Sequence, residues 1–406
     1  MKRLLPLLFV SLLLFLNEVS FGYSLRVEVD LMRTRFEEDA DFFGIWAMAD
    51  GSHLLEDLSK NWVYQASLVA SYKESLGSQV RPNNLYAKYD SDYFVFVGGY
   101  QIISWGESFG INPVDIINPN IADNFFENDS LKSKESAPLI NFKVILGNFD
   151  LSLIGGVTLT QKVNDSENNL GLNTKKLNGS NVFLEGLSER DTEPLLAARF
   201  GGLLSFGLDF TLFAAVHGNR TPKFSYKPSL EEVRFEQITN RNQTVGATYS
   251  YPAGKGVIRG EGIFTNTDNN LNYRAGESGV HTLTAGYDQT STIGDITVLM
   301  GLQGLITRTE DISNKVVSYS KLYGIQSVVD SFKYDSGFSL IYLSDIEREN
   351  TFYLDSSVYY NVNDSNKLML TYNLVETDEA SSFSNDFFSY IVGERDLFRL
   401  TYAYYF

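Results

Sequence analysis

Leu397-Phe398-Arg399-Leu400-Thr401-Tyr402-Ala403-Tyr404-Tyr405-Phe406 ends the chain, alternating without a break and stopping on an aromatic. One face reads Phe398, Leu400, Tyr402, Tyr404 and Phe406. The other carries Arg399, Thr401 and Ala403, with Leu397 and Tyr405 at its ends. An apolar, aromatic-tipped face opposite a more polar one, at a period of two, suits a β-strand with lipid on one side and a lumen on the other. The expected fold is therefore all-β, a transmembrane antiparallel barrel.

Working back from that stretch, alternating segments fall at 25–35, 42–48, 62–72, 85–89, 93–103, 140–146, 149–159, 195–204, 206–217, 243–251, 256–264, 281–288, 293–306, 316–329, 337–343, 351–360, 368–375 and 394–406. The second is weak. The pattern predicts about 18 strands, within a range of 14–18. Links from even to odd segments are short, as at 147–148, 252–255, 289–292 and 361–367, with 49–61 the exception. Links from odd to even segments are long, as at 161–194, 218–242, 265–280 and 376–393. Outer-membrane barrels place short turns in the periplasm and long loops outside, so the asymmetry implies an even count with both termini periplasmic.

The N-terminus fits that location. Lys2 and Arg3 precede an apolar stretch over 4–16, and Ser20-Phe21-Gly22 supplies a small-x-small cleavage site. This reads as a signal peptide over 1–22, too short to span a bilayer, followed by one barrel domain over 23–406. Tyr (24) and Phe (29) are abundant while the mean hydropathy is only −0.13, as expected where lipid meets every second residue. Cysteine is absent, which removes disulfides and thiolate metal sites. Losing Lys2, Arg3 and Glu18 with the leader takes 33 basic and 50 acidic residues to 31 and 49, a net charge of −18. No basic stripe is present to meet nucleic acid.

A barrel of this size has room for an aqueous channel unless something fills it. The long interruption at 104–137 is the candidate. Trp105-Gly106-Glu107-Ser108-Phe109-Gly110 leads into Ile111-Asn112-Pro113-Val114-Asp115 and Ile116-Ile117-Asn118-Pro119-Asn120. Tandem Asn-Pro turns bracketed by Ile and Val would be wasted in a solvated loop. They imply a compact segment folded inward after the fifth strand, as either a constriction or a plug. The residues assigned to it are Gln101, Trp105, Gly106, Glu107, Asn112, Pro113, Asp115, Asn118 and Pro119. Glu107 and Asp115 are expected to form a carboxylate pair there, as charged rings do in pores. By parity Gln101 points into the lumen, as do the charges Lys143, Arg199, Arg259, Glu261 and Arg399.

Two resemblances add to this reading. The ending, with Tyr402, Tyr404 and Phe406, resembles the C-terminal assembly signal of outer-membrane barrels and implies recognition by the barrel-assembly machinery. The run Gly99-Tyr100-Gln101-Ile102-Ile103-Ser104-Trp105-Gly106-Glu107, with Asp115, Asn118 and Pro119 after it, resembles the G-R-Q-x-x-x-W-G element of an uncharacterised family of proteobacterial outer-membrane barrels. Tyr100 stands where that family usually has Arg. The resemblance implies a porin-like barrel that moves small organic or hydrophobic compounds, often beside an envelope exporter as partner.

Catalysis is not expected. Of His53, His217 and His281, only His217 faces the lumen by parity among the last two, and no motif ties a Ser or Asp to it. Asn164-Asp165-Ser166-Glu167 and Asn363-Asp364 lack the ligand count of a Ca²⁺ loop and read as turns, so no metal or cofactor is expected. The expected function is a channel for small solutes with selectivity set by 104–137. The alternatives are a trans-envelope export or electron-transfer component, and a structural or adhesive barrel. The expected partners are outer-membrane lipid and lipopolysaccharide.

Overall fold

The computed structural model describes residues 23–34, 41–54, 61–73, 77–106, 112–118, 134–159, 181–185, 192–218, 223–228, 232–238, 241–268, 277–311, 316–331, 333–346, 352–376 and 395–405. Residues 1–22, read as a leader, Glu107, Pro119, Phe406 and residues 164–167, read as a turn, lie outside them.

The barrel strands are β1 (Tyr23–Thr34), β2 (Asp41–Leu54), β3 (Trp62–Lys73), β4 (Gly77–Asp90), β5 (Phe94–Gln101), β6 (Ala137–Leu146), β7 (Phe149–Leu159), β9 (Thr192–Leu203), β10 (Asp209–His217), β13 (Arg241–Ala253), β14 (Gly256–Asp268), β15 (Glu277–Ile293), β16 (Ile296–Asp311), β17 (Val316–Ser331), β18 (Ser336–Asp345), β19 (Phe352–Asn363), β20 (Asn366–Glu376) and β21 (Arg395–Tyr405). They form one 18-stranded sheet in which chain neighbours pair antiparallel. The last strand pairs back onto the first, from Arg26↔Tyr405 to Thr34↔Leu397, so every strand has two partners. Closure removes the sheet edges that a lipid environment cannot satisfy.

Side chains alternate across this wall. On β10, Leu212 faces out and is 52% exposed, whereas Phe213 faces in and is 5% exposed. The outer face is apolar from Ile140 and Leu153 round to Leu370 and Leu400. On β16 the outward row from Ile296 to Ile306 is uncharged. Ten residue steps tilted by 40° give it a height of about 26 Å, matching the ~25 Å apolar band of outer-membrane barrels. Aromatics gather near the short-turn end. Trp62, Tyr89, Phe94 and Phe142 follow one another at 5.2, 5.5 and 5.6 Å between ring centroids.

Apart from strand ends that shift by up to about five residues, so that the link read at 289–292 lies within β15, with its turn at Gly294-Asp295, the structure departs from the sequence reading in three places. The weak second strand runs to Leu54, which shortens the exceptional link from 49–61 to 55–61. The fourth strand starts at Gly77 rather than 85. Its outer part carries a bulge, since Ser67 pairs with Asn84 but Leu68 with Pro82, leaving Asn83 as the extra, fully buried residue. Finally, the long links at 161–194 and 218–242 are not wholly irregular. They contribute β8 (Asn181–Glu185), β11 (Lys223–Pro228) and β12 (Glu232–Ile238), a small sheet in which β12 pairs parallel with β8 and ties one link to the other. The Asn363-Asp364 turn is as read, with Asn363 Oδ1 accepting from Ser365 N at 3.0 Å and Asn366 Nδ2 at 2.7 Å.

Close approach of β5 to β4 depends on Gly99. Its φ is +138°, and a Cβ there would lie 2.2 Å from the Leu85 carbonyl oxygen and 2.7 Å from Tyr86 Cα. Neighbouring Gly98 would meet only the Phe96 ring, at 3.5 Å. Gly99→Val is expected to add strain of about 1–3 kcal/mol and to lower the folded fraction in detergent refolding, read as the heat-modifiable band on gels, whereas Gly98→Ala refolds normally.

Candidate functional site

The inward segment begins where β5 ends. Gln101 lies on the inner side and donates its amide to the Leu139 carbonyl at 2.9 Å, fixing the exit of β5 against β6. Asn118 closes the base of the segment. Its Oδ1 accepts from Ile103 N at 2.7 Å, and its Nδ2 donates to the carbonyls of Gln101 at 3.0 Å and Glu135 at 2.9 Å. Three backbone groups of two chain crossings are thus satisfied by one fully buried side chain. Asn112 and Pro113 form the turn between, where Asp115 N approaches Asn112 O and Asn112 Nδ2 donates to Trp105 O at 2.6 Å.

Packing holds the segment to the wall. Val114, Ile116, Ile117 and Trp105 cover a patch of inner wall made by Leu139, Ile154, Leu195, Ala197, Phe213 and Ala215. Trp105 meets Phe213 at 5.1 Å between ring centroids. At about 1.5–3 kcal/mol for each buried aliphatic side chain, Val114, Ile116 and Ile117 contribute roughly 4.5–9 kcal/mol. Gly106 has φ +82°, and a Cβ would come within 2.4 Å of Asn112 Oδ1 and Val114 Cγ2 and 2.7 Å of Glu261 Oε1. Only glycine lets the backbone settle there, against a strand six neighbours from β5 around the ring.

Between the segment and the wall lies a cavity of about 370 Å³. Ile103, Ser104, Trp105 and Gly106 line it from the segment. Lys143, Arg199, Arg259 and Glu261, four of the five charges assigned to the lumen, line it from the wall with Asp209, Ile154 and Phe213. The cations each meet a carboxylate of the wall. Lys143 Nζ is 3.1 Å and Arg199 Nη1 3.6 Å from Asp150, Arg199 Nη2 donates to Thr211 Oγ1 at 3.2 Å, and Arg259 Nε donates to Asp288 at 2.7 Å. Arg399 is not part of this cavity. It belongs to a second buried polar group on β19–β21 with Asp355 and Asn373, where Tyr353 donates to Asp355 at 3.0 Å.

Of the expected Glu107–Asp115 pair, only Asp115 is among the described residues. Its carboxylate is buried at the base of the segment in an ion pair with Lys134, whose Nζ also donates to Ser104 Oγ. Glu107 and Pro119 lie outside the described residues. Lys134 is held in turn by Arg81, which donates to its carbonyl at 2.9 Å, while Ser136 Oγ donates to Pro82 O at 2.9 Å and Ile102 N to Asn84 Oδ1 at 3.3 Å. The β4 bulge therefore presents the groups that anchor the segment. Sequence reasoning missed Arg81, Asn84, Lys134 and Ser136 together with the counter-ions Asp150 and Asp288. His217 is inward and buried. Its Nδ1–H donates to the Gly218 carbonyl at 2.7 Å and, in the neutral ring, Nε2 accepts from Thr244 at 2.9 Å, so both nitrogens bind structure.

Removing one member of a buried ion pair costs about 3–5 kcal/mol, and here the loss falls on segment attachment. Lys134→Met is expected to speed proteolytic cutting within 102–136 by at least ~100-fold in the folded barrel. Pairing it with Asp115→Leu is expected to restore most of the protection, which loss of a single side chain's packing alone would not allow.

A closed antiparallel barrel with an apolar outer band, aromatics near its short-turn end and a segment folded into its lumen has the architecture of the outer-membrane porins. Solved structures agree on that fold. Pseudomonas aeruginosa OccK2 (OpdF), in complex with glucuronate, aligns over 95% of this chain and 98% of its own with a TM-score of 0.56 at 11% identity. OccK3 (OpdO) of the same organism aligns over 95% of each chain with a TM-score of 0.55 at 13% identity. Its outer membrane protein opdK aligns over 95% of this chain and 98% of its own with a TM-score of 0.55 at 11% identity. No family model and no curated protein matches the chain in sequence. The chain shares the closed β-barrel fold of these outer-membrane porins.

Proposed function

We propose that this barrel is a passive channel for small polar solutes, including small organic compounds, and that the segment between β5 and β6 selects among them. The observation that carries the reading is the seating of that segment, which leaves the wall at Gln101, reaches Glu261 on β14 and bounds a cavity of about 370 Å³. That volume lies within the range of small-molecule sites. Its lining sets Ile103, Trp105, Ile154 and Phe213 beside Lys143, Arg199, Arg259 and Glu261, which suits a solute with an apolar body and polar groups. The glucuronate held by OccK2 supports a small organic solute in a barrel of this architecture. The long links are read as extracellular and both termini as periplasmic, following the loop asymmetry of such barrels.

In planar bilayers the mature protein is expected to give ohmic openings that widen when residues 112–120 are removed. A silent wild type that opens only on deletion would make the segment a plug, and silence in both would remove the channel reading. Asp288→Asn removes the carboxylate that Arg259 Nε meets and should move the reversal potential toward anions, with Arg259→Gln moving it toward cations. The change in permeability ratio is about fivefold or less, since unit charges 4 Å apart in water interact by ~1 kcal/mol.

Orientation has its own test, because the chain has no cysteine. Thr192→Cys, at a long-link end, is expected to react with a membrane-impermeant maleimide on intact cells. Asp295→Cys, in the β15–β16 turn, should react only after the outer membrane is opened.

A further inference from the structure

Directly opposed residues of antiparallel strands share a face and lie ~5 Å apart. One such row on the outer face runs Phe264 on β14, His281 on β15, Arg308 on β16 and Tyr319 on β17. One step toward the short-turn end, Lys321 sits opposite Ile306, between Tyr319 and Tyr323 on its own strand. Phe264, Ile306, Tyr319 and Tyr323 are all among the exposed apolar side chains that face the membrane. The His281 ring packs on Phe264 at 4.6 Å between centroids, and Arg308 pairs with Glu310 on the same face of β16.

Cations on this face need an explanation. A basic residue toward lipid costs about 2–4 kcal/mol at the bilayer midplane and about 0–1 near the interface. Arg308 is the first residue beyond the uncharged row Ile296–Ile306, and Lys321 lies level with the last of that row. Both therefore stand at the rim of the apolar band at the long-link end, where a lysine stem can lie along apolar surface with its ammonium at headgroup height. Arginine matches a phosphate with a fork of N–H groups and lysine with a point charge. Arg308 has five N–H donors, so the Glu310 pair leaves capacity for a second acceptor.

We infer that the outer face of β15–β17 at this height binds the phosphate of a phosphorylated glycolipid headgroup in the outer leaflet. Arg308 and Lys321 hold the phosphate, His281 supplies a ring N–H, and Tyr319 and Tyr323 flank the acyl boundary. The site rests on the orientation proposed above, which puts long-link ends outside, and is independent of whether the lumen conducts.

The test is titration of the whole mature protein in detergent with bisphosphorylated lipid A, fully dephosphorylated lipid A and inorganic phosphate, read by native mass spectrometry. Wild type is expected to bind the bisphosphorylated lipid at least tenfold tighter than the dephosphorylated one. Arg308→Gln with Lys321→Gln should bring the two within about twofold, and Lys321→Arg should keep the preference. Unchanged heat-modifiable migration of the double variant separates a lost site from a lost fold. Equal binding of the two lipids by wild type, or an undiminished preference in the double variant, would overturn the site. Competition by millimolar inorganic phosphate would overturn the lipid and leave a free-phosphate site. Reversed cysteine labelling would overturn the orientation while leaving these titrations as they stand.

Discussion

Every backbone N–H and C=O in the hydrocarbon region must find a partner within the protein, because lipid offers none. That requirement is met by the pairing of β21 with β1, which turns eighteen strands into a ring without edges. The rest of the structure follows from it. A closed ring fixes two faces, a period-two pattern then assigns each residue to lipid or lumen, and hairpin connections alternate between the two ends. The strand count in turn makes the ring too wide for wall side chains alone to fill.

That width creates the second feature of the fold. The inner wall of β6, β7, β9 and β10 is apolar at Leu139, Ile154, Leu195, Ala197, Phe213 and Ala215, which would be costly facing water. Val114, Ile116, Ile117 and Trp105 cover those residues, so the segment and its patch of wall form a small core inside the barrel. Such a core needs anchors at its edges. The β4 bulge supplies them through Arg81, Pro82 and Asn84, and Asn118 and the Asp115–Lys134 pair close the base. The irregularity in β4 and the inward segment are thus two parts of one construction.

The regular part of this molecule was legible in the sequence and the irregular part only in outline. Alternation alone located all eighteen wall strands, and parity placed Lys143, Arg199, Arg259 and Glu261 on the inner face where they share a cavity. Strand β4 was short in the reading because Pro82, Asn83 and Asn84 break the alternation at a bulge, where the extra residue shifts register. Trp105, Gly106 and Asn118 stood out because apolar and Asn-Pro residues are anomalous in a solvated loop. The fate of Asp115 was not legible, since parity has no meaning in an irregular segment and its partner Lys134 sits in a stretch with no pattern. The small sheet of β8, β11 and β12 joins residues from two separate links, a contact that no local pattern announces.

Charge is used differently on the two faces of the wall. Inside, Asp150 holds Lys143 and Arg199, and Asp288 holds Arg259, so the cations are kept in place by the wall itself. Charges paired in this way offer hydrogen-bonding groups at fixed positions. Outside, no lumenal water is present to solvate Lys321 and Arg308, and a cation there is tolerable only at the height where headgroups begin. The same residue chemistry thus meets two environments, carboxylate partners within the ring and an apolar surface outside it, with the difference set by which face of a strand the alternation assigns.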